Sequence, residues 1–485
     1  MLFSKPLYFA LFLPLTALFY WLAVNYKKHT FSIFILIVAS VIFYVTWSVK
    51  FFGLLLFSAT INYLIASQLM SERQSLRRAL FALAIAFNIG LLGYFKYFNF
   101  FLETFNECLG SNFRLINLIL PLGISFYTFQ QLAYVVDAYK NKVKHCSFAE
   151  YILFVIYFPQ LVAGPIVHYA DVLPQFRTIK TVDWNSMYKG IMIFILGLAK
   201  KILVADTLGH YVQMGYANID QLGLISAWII SLAYTMQLYF DFSGYADMAI
   251  GSGLLFGIRL PENFNSPYKA LHIQDFWRRW HITLSTFLKD YIYIPLGGNR
   301  CSEPRVLLNL FLTFFIGGIW HGAGWTFMIW GALHGTAMMI YHLWKKLGFQ
   351  LHKTLSWFIT LNFINLTWIF FRADSVTSAR TFIIKLVDLR WLKEITPFMT
   401  LKELRALICG HTGHTGLGYL QLIQLGFSII GLIFFVKYIQ NTSQLATKNI
   451  TPHWFKTGAM LAMVWIIWVI TSCRVYEVDF IYWQF

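Results

Sequence analysis

Apolar runs long enough to cross a lipid bilayer recur from one end of this chain to the other, which leaves it few folds to choose from. They fall at 7–25, 31–49, 52–70, 79–101, 115–138, 149–167, 190–206, 222–240, 245–258, 306–321, 325–343, 355–371, 418–437 and 456–472. A spanning helix needs about 20 mostly apolar residues. Inside hydrocarbon every backbone N–H and C=O must be satisfied within the segment, and a helix does that. One large soluble core does not explain the runs, because only 12% of residues are charged, against roughly 25% in soluble domains. The chain reads as an all-α polytopic integral membrane protein of about 11–14 transmembrane or re-entrant helices. Several runs are short, and Pro121, Pro159 and Pro165 mark expected kinks or breaks. No soluble domain is visible, so residues 1–485 read as one membrane domain. It has N-terminal helices over 1–115, a core over 116–345, and C-terminal helices over 346–485 with a long polar stretch at 376–416.

The net charge is +17, from 38 Lys+Arg and 21 Asp+Glu. Basic loops between spans are what the positive-inside rule describes. With the N-terminus outside, inner loops hold Lys27, Lys28, Arg73, Arg77, Arg78, Lys140, Lys142 and Lys144, and the outer side holds Lys50, Lys96 and Arg114. That imbalance favours an N-out orientation. The basic residues form no stripe of the kind that binds nucleic acid, but they suit contact with anionic membrane lipid. Cys108, Cys146, Cys301, Cys409 and Cys473 lack zinc or disulfide spacing and read as small packed hydrophobes. Met1-Leu-Phe-Ser-Lys-Pro has no basic n-region and no cleavage site follows, so the first run reads as a retained helix.

Two Trp–His pairs are the candidates for chemistry. Trp280-His281 lies in Phe276-Trp-Arg-Arg-Trp-His-Ile-Thr-Leu-Ser, and Trp320-His321 in Gly317-Gly-Ile-Trp-His-Gly-Ala-Gly-Trp. An ionisable group in such surroundings is costly and marks a functional-site hypothesis, and histidine suits proton transfer near neutral pH. Over 269–295, Ile273, Trp277, Trp280, Leu284, Phe287 and Tyr291 recur at helical spacing. That predicts one amphipathic helix at the interface or lining a polar cavity, with His281 at the edge of its stripe. Arg278, Arg279, Ser285 and Asp290 are its polar neighbours; an aromatic–basic interface belt is the plainer alternative. For His321, among glycines that permit close approach, a hydrogen-bonded core histidine is the alternative. His334 reads as a helix-packing or supporting residue and His342, near Lys345 and Lys346, as interfacial.

Asp241, Ser243 and Asp247 follow the run at 222–240. Either they cap and start a second helix, or they lie beside the histidines and orient an imidazole. Glu262, Asn263 and Asn265 read as a polar turn. His411 and His414 are three apart, but no carboxylate or cysteine accompanies them, so a solvated loop is expected and no metal site. No nucleophile elbow and no zinc-binding motif appears.

The stretch Asp275-Phe-Trp-Arg-Arg-Trp-His-Ile-Thr-Leu-Ser-Thr-Phe-Leu-Lys-Asp-Tyr-Ile-Tyr-Ile-Pro-Leu-Gly-Gly-Asn-Arg and the stretch Phe315-Ile-Gly-Gly-Ile-Trp-His-Gly-Ala-Gly-Trp resemble the signatures of the membrane-bound O-acyltransferase (MBOAT) family, nearest its bacterial alginate O-acetylation branch. Leu120-Pro-Leu-Gly-Ile-Ser-Phe-Tyr, Phe158-Pro-Gln-Leu-Val-Ala-Gly-Pro, Gln237-Leu-Tyr-Phe-Asp-Phe-Ser-Gly-Tyr-Ala-Asp-Met-Ala-Ile-Gly and Phe480-Ile-Tyr-Trp-Gln-Phe support it. The resemblance implies helices around a central catalytic cavity. It implies acyl transfer from a thioester donor, acetyl-CoA in this branch, to a hydroxyl, with no bound cofactor. It maps the family's two histidines onto His321, expected as general base, and His281, expected near the acyl carbonyl. Arg278 and Arg279 are candidate holders of donor phosphates, Trp320 and Trp277 supply indole N–H groups, and Asp241, Ser243, Asn263, Ser285, Asp290 and His334 are supporting candidates. A periplasmic acetyltransferase partner and a cell-surface polysaccharide acceptor are implied as well, in the bacterial inner membrane. The rival reading is a proton-coupled transporter or flippase, although no internal repeat is visible.

Overall fold

A computed structural model describes residues 3–70, 74–143, 146–162, 164–178, 181–389, 419–447, 452–473 and 480–481. The described residues form helices and connecting segments, with no strands among them. The main helices are α1 (Leu7–Asn25), α2 (His29–Val45), α3 (Val49–Leu69), α4 (Leu76–Leu109), α5 (Ile124–Tyr139), α6 (Phe148–Ile156), α7 (Trp184–Ala199), α8 (Asp206–Ala217) and α9 (Leu224–Leu255). They continue with α10 (Ile273–Trp277), α11 (Ile282–Leu288), α12 (Glu303–His321), α13 (Trp325–Leu347), α14 (Lys353–Arg372), α15 (Val376–Leu386), α16 (Gln421–Tyr438) and α17 (Trp454–Cys473). Among the described residues seven helices are long and apolar enough to cross a membrane: α1, α3, α4, α12, α14, α16 and α17. The chain is an all-α, multi-pass membrane protein.

Two compact units are assembled from separated stretches. The first comprises Met1–Leu198, Tyr245–Asn263 and Ala446–Val464; the second comprises Ala199–Gly244, Phe264–Leu445 and Trp465–Phe485.

In the first unit a buried polar network joins α3, α4 and α5. Asn62 Nδ2 donates to Gln131 Oε1 at 2.6 Å and to the Ser58 carbonyl at 2.9 Å, Asn88 Nδ2 donates to Asn62 Oδ1 at 2.6 Å, and Ser58 Oγ donates to Gln131 Oε1 at 3.0 Å. Apolar helix faces gain little by choosing one another over lipid, so directed hydrogen bonds fix their register. Asn62→Leu removes the hydrogen bonds that Asn62 makes to Asn88 and Gln131 and is expected to lower stability by about 1–3 kcal/mol, read as earlier thermal unfolding in detergent. An unchanged melting temperature would contradict this role.

Several expected spans differ from the helices that form. The run at 115–138 becomes helical only at Ile124, after Pro121 and a left-handed Gly123 (φ 71°) whose Cβ would stand 2.8 Å from the Leu161 carbonyl oxygen. The run at 149–167 is the short α6, started by a Ser147–Glu150 capping box and broken at Tyr157. The split between 222–240 and 245–258 is overturned: α9 continues through it for 32 residues. Asp241 and Ser243 therefore sit in mid-helix and cap nothing. The polar dip that looked like a break is a buried ion-pairing position. The polar stretch from 376 opens with α15, capped by Ser375 and burying Ala379, Phe382 and Leu386. His411, His414 and Cys409 lie outside the described residues.

The second unit is built around the α12–α13 hairpin. A Cβ on Gly318 would lie 2.5 Å from the Phe327 carbonyl oxygen and 2.7 Å from Gly331 Cα, and one on Gly331 2.8 Å from the Phe314 carbonyl oxygen. The glycines let the two backbones touch. The turn between them, Gly322-Ala-Gly324, places His321 at the last residue of α12.

Candidate active site

His281, Trp320 and His321 all belong to the second unit. The predicted continuous helix over 269–295 is overturned at its centre. α10 stops at Trp277, His281 takes a left-handed backbone (φ 43°, ψ 55°), and α11 restarts at Ile282. Non-glycine residues seldom adopt that conformation, histidine being among those that do so more readily. Strain of this kind is held by the surroundings and gathers at functional sites. The Asn265 N–H donates to the Arg279 carbonyl at 2.9 Å, and Arg279 Nη1 donates to the Asn265 carbonyl at 3.3 Å, which fixes the turn. Ser285 Oγ donates to the Trp280 carbonyl at 3.3 Å on its other side. His281 is thus at no stripe's edge; it is fully buried.

The His281 ring stands edge-on to Phe242 at 4.7 Å and lies 6.2 Å from Trp320. His321, 3% exposed, lies 4.9 Å from Trp320, 5.0 Å from Trp330 and 5.2 Å from Phe371, edge-on or nearly so each time. Trp320 therefore touches both histidines and joins the two pairs into one aromatic enclosure. The short helices flanking His281 do not span a membrane. Burial among apolar rings lowers its pKa to about 3, so the ring is neutral at ordinary pH.

His334 is committed on both nitrogens. The Trp277 indole N–H donates to Nδ1 at 3.2 Å, and Nε2 lies 3.1 Å from Thr367 Oγ1, whose hydroxyl donates to the Ile364 carbonyl. Thr367 therefore accepts from an Nε2–H, which assigns the tautomer. This chain ties α10, α13 and α14 together. The His334 ring also lies 4.5 Å from that of Trp330, tilted at 49° to it, and Trp330 is the ring against His321, so His334 supports the enclosure.

Other predicted residues lie elsewhere. Asp241 pairs with Lys201 at 2.7 Å and accepts the Ile481 N–H at 2.8 Å. Ser243 is buried two residues further along, while Asn263 and Asp247 are buried in the first unit. Arg279 is held by Asp275 at 2.8 Å, whereas Arg278 is exposed. Asp290 lies 3.4 Å from Lys289 on a partly exposed turn. His342 bonds Glu303 at 2.9 Å, and Lys346 pairs with the same carboxylate. Among the described residues no three His, Cys, Asp or Glu side chains converge as a metal site. Sequence reasoning missed Lys201, which lies inside the expected run 190–206, and Trp330, Thr367 and Phe371, which lie inside the runs 325–343 and 355–371.

Residues 32–373 match the MBOAT, membrane-bound O-acyltransferase family. The chain belongs to the membrane-bound O-acyltransferase family. It is 47% identical over 412 residues to a peptidoglycan O-acetyltransferase of Helicobacter pylori, covering 78% of each chain. It is 40% identical to a probable alginate O-acetylase AlgI of Pseudomonas aeruginosa, over 78% of this chain and 73% of that one. A teichoic acid D-alanyltransferase of Bacillus subtilis is 29% identical over 47% of this chain and 61% of its own length. This membrane-bound O-acyltransferase is an enzyme, and the transporter reading falls away.

Proposed function

We propose that this O-acyltransferase takes an acetyl group from acetyl-CoA at the cytoplasmic face of a bacterial inner membrane and delivers it to hydroxyls of an extracytoplasmic cell-surface polysaccharide, directly or through a periplasmic acetyltransferase partner. The observation that carries the reading is the pair of buried histidines on either side of Trp320. The names of the relatives support the acyl group and the acceptor class, since peptidoglycan and alginate are both polysaccharides.

His321 is the general base. It takes the proton of the attacking hydroxyl as the oxygen adds to the thioester carbonyl. The tetrahedral intermediate collapses with cleavage of the C–S bond, and the CoA thiolate leaves and takes up a proton. Neutral His281 is suited to donate a ring N–H to the developing oxyanion, and the Trp320 indole N–H is a second candidate donor. The aromatic walls exclude water, which strengthens each of these interactions. Arg278 is the more exposed candidate for donor phosphates.

Purified full-length protein in detergent is expected to release free CoA from acetyl-CoA, and proteoliposomes loaded with labelled acetyl-CoA to pass label to an added outer acceptor. Release from another acyl thioester but not from acetyl-CoA would overturn the donor assignment. Label retained inside would overturn transfer across the membrane.

A further inference from the structure

One group of buried charges takes no part in the acyl-transfer chemistry proposed for the histidines. Lys201 Nζ lies 2.7 Å from Asp206 Oδ1 and 2.7 Å from Asp241 Oδ1, and all three side chains are buried. Such a group is expensive to desolvate, and losing one member strands the others. What it holds is visible at the other oxygen of Asp241. Oδ2 accepts the backbone N–H of Ile481 at 2.8 Å, 240 residues further along. That bond brings in Phe480, whose ring lies 6.1 Å from Phe242. Phe242 directly follows Asp241 in α9, and its ring stands edge-on to His281 at 4.7 Å. Phe480, Ile481 and Phe242 are all buried. Lys201 is itself carried on a widened, π-type turn, Lys200–Ala205, between α7 and α8; such turns are frequent at functional sites.

The geometry points to Asp241, Lys201 and the Phe480–Ile481 segment as a clamp that positions His281. Lys201 fixes one oxygen of Asp241, and the other anchors the C-terminal segment. Phe480 then backs Phe242, whose ring meets the imidazole nearly at right angles. His281 needs such support, because its left-handed backbone is one that side chains rarely hold unaided. Phe480 and Ile481 thereby back the Phe242 side of the acyl-transfer site. These are positioning residues, and the inference rests on His281 acting in acyl transfer.

The test uses full-length enzyme in detergent, with acetyl-CoA as the probe and free CoA as the readout, normalised to the folded fraction from gel filtration. Asp241→Asn and Phe480→Ala are each expected to lower kcat about tenfold to a hundredfold, as small misplacements of a reacting group do. KM for acetyl-CoA should stay within about twofold, because the donor's contacts are untouched. Phe480→Leu, which restores apolar bulk, should recover most of the rate. A merely structural role would lower yield or melting temperature without that split between kcat and KM. If Asp241→Asn does not fold, the two Phe480 variants decide. Folded Asp241→Asn or Phe480→Ala with wild-type kcat, beside an inactive His281→Ala, overturns the clamp alone. Wild-type turnover in His281→Ala overturns the role of His281, and the clamp with it.

Discussion

His321→Gln is expected to lower acetyl-CoA-dependent CoA release by about 10²- to 10⁴-fold, the contribution of a positioned general base, while the protein remains folded. Gln is chosen because it keeps a polar group and comparable bulk at a position 3% exposed and walled by Trp320, Trp330 and Phe371. It cannot take a proton. His321→Ala should be equally inactive but less stable, because it also empties space between those rings. The pH profile separates base loss from mispositioning. A base must be unprotonated to work, so wild-type kcat/KM should fall as pH drops through its pKa. His281 does not supply that limb, because burial lowers its pKa to about 3 and keeps it neutral across the working range. An acid limb set by the general base should vanish in His321→Gln, leaving a low, flat profile. Turnover within a few-fold of wild type, or an unchanged acid limb, would remove His321 from the base role. The profile is measured as free thiol released from acetyl-CoA by purified protein.

Much of this architecture is legible in the sequence because the lipid solvent leaves a chain few options. The expected runs at 7–25, 52–70, 306–321, 355–371 and 456–472 correspond to α1, α3, α12, α14 and α17 within a few residues. What stayed hidden depends on distant partners. Hydropathy breaks α9 at Asp241 because it cannot see Lys201 forty residues earlier or the Ile481 amide near the end of the chain. Of the stripe Ile273, Trp277, Trp280, Leu284, Phe287 and Tyr291, the first five are buried as the spacing implies and Tyr291 is half-buried, yet the helix carrying them breaks. A left-handed turn at a histidine has no signature in composition. The two Trp–His pairs stand out as motifs. That Trp320 contacts both imidazoles follows only from how α12 meets the turn at His281.

Gly318→Ala is expected to be among the most damaging of the small changes where α12 and α13 cross. The added Cβ would sit 2.5 Å from the Phe327 carbonyl oxygen and 2.7 Å from Gly331 Cα. Both are backbone atoms, so no rotamer change relieves the contact and the helices must separate. Overpacking of this kind costs about 1–3 kcal/mol and sometimes more. Glycines nearby grade the prediction. Gly317→Ala meets only Leu288 Cδ1 at 3.2 Å, a side-chain tip able to move. Gly324→Ala meets nothing closer than 3.7 Å, and its extended backbone suits any residue. It should stay within about 0.5 kcal/mol of wild type. Thermal unfolding in detergent should therefore order the variants with Gly318→Ala least stable, Gly317→Ala between, and Gly324→Ala at wild type. Activity should follow a steeper order, because Gly318 lies one turn before His321 and directly across from Gly331, the neighbour of Trp330. Parting the backbones there draws His321 away from Trp330 and opens the enclosure to water. A Gly318→Ala protein melting with Gly324→Ala, at full activity, would mean that the helices do not meet at these glycines.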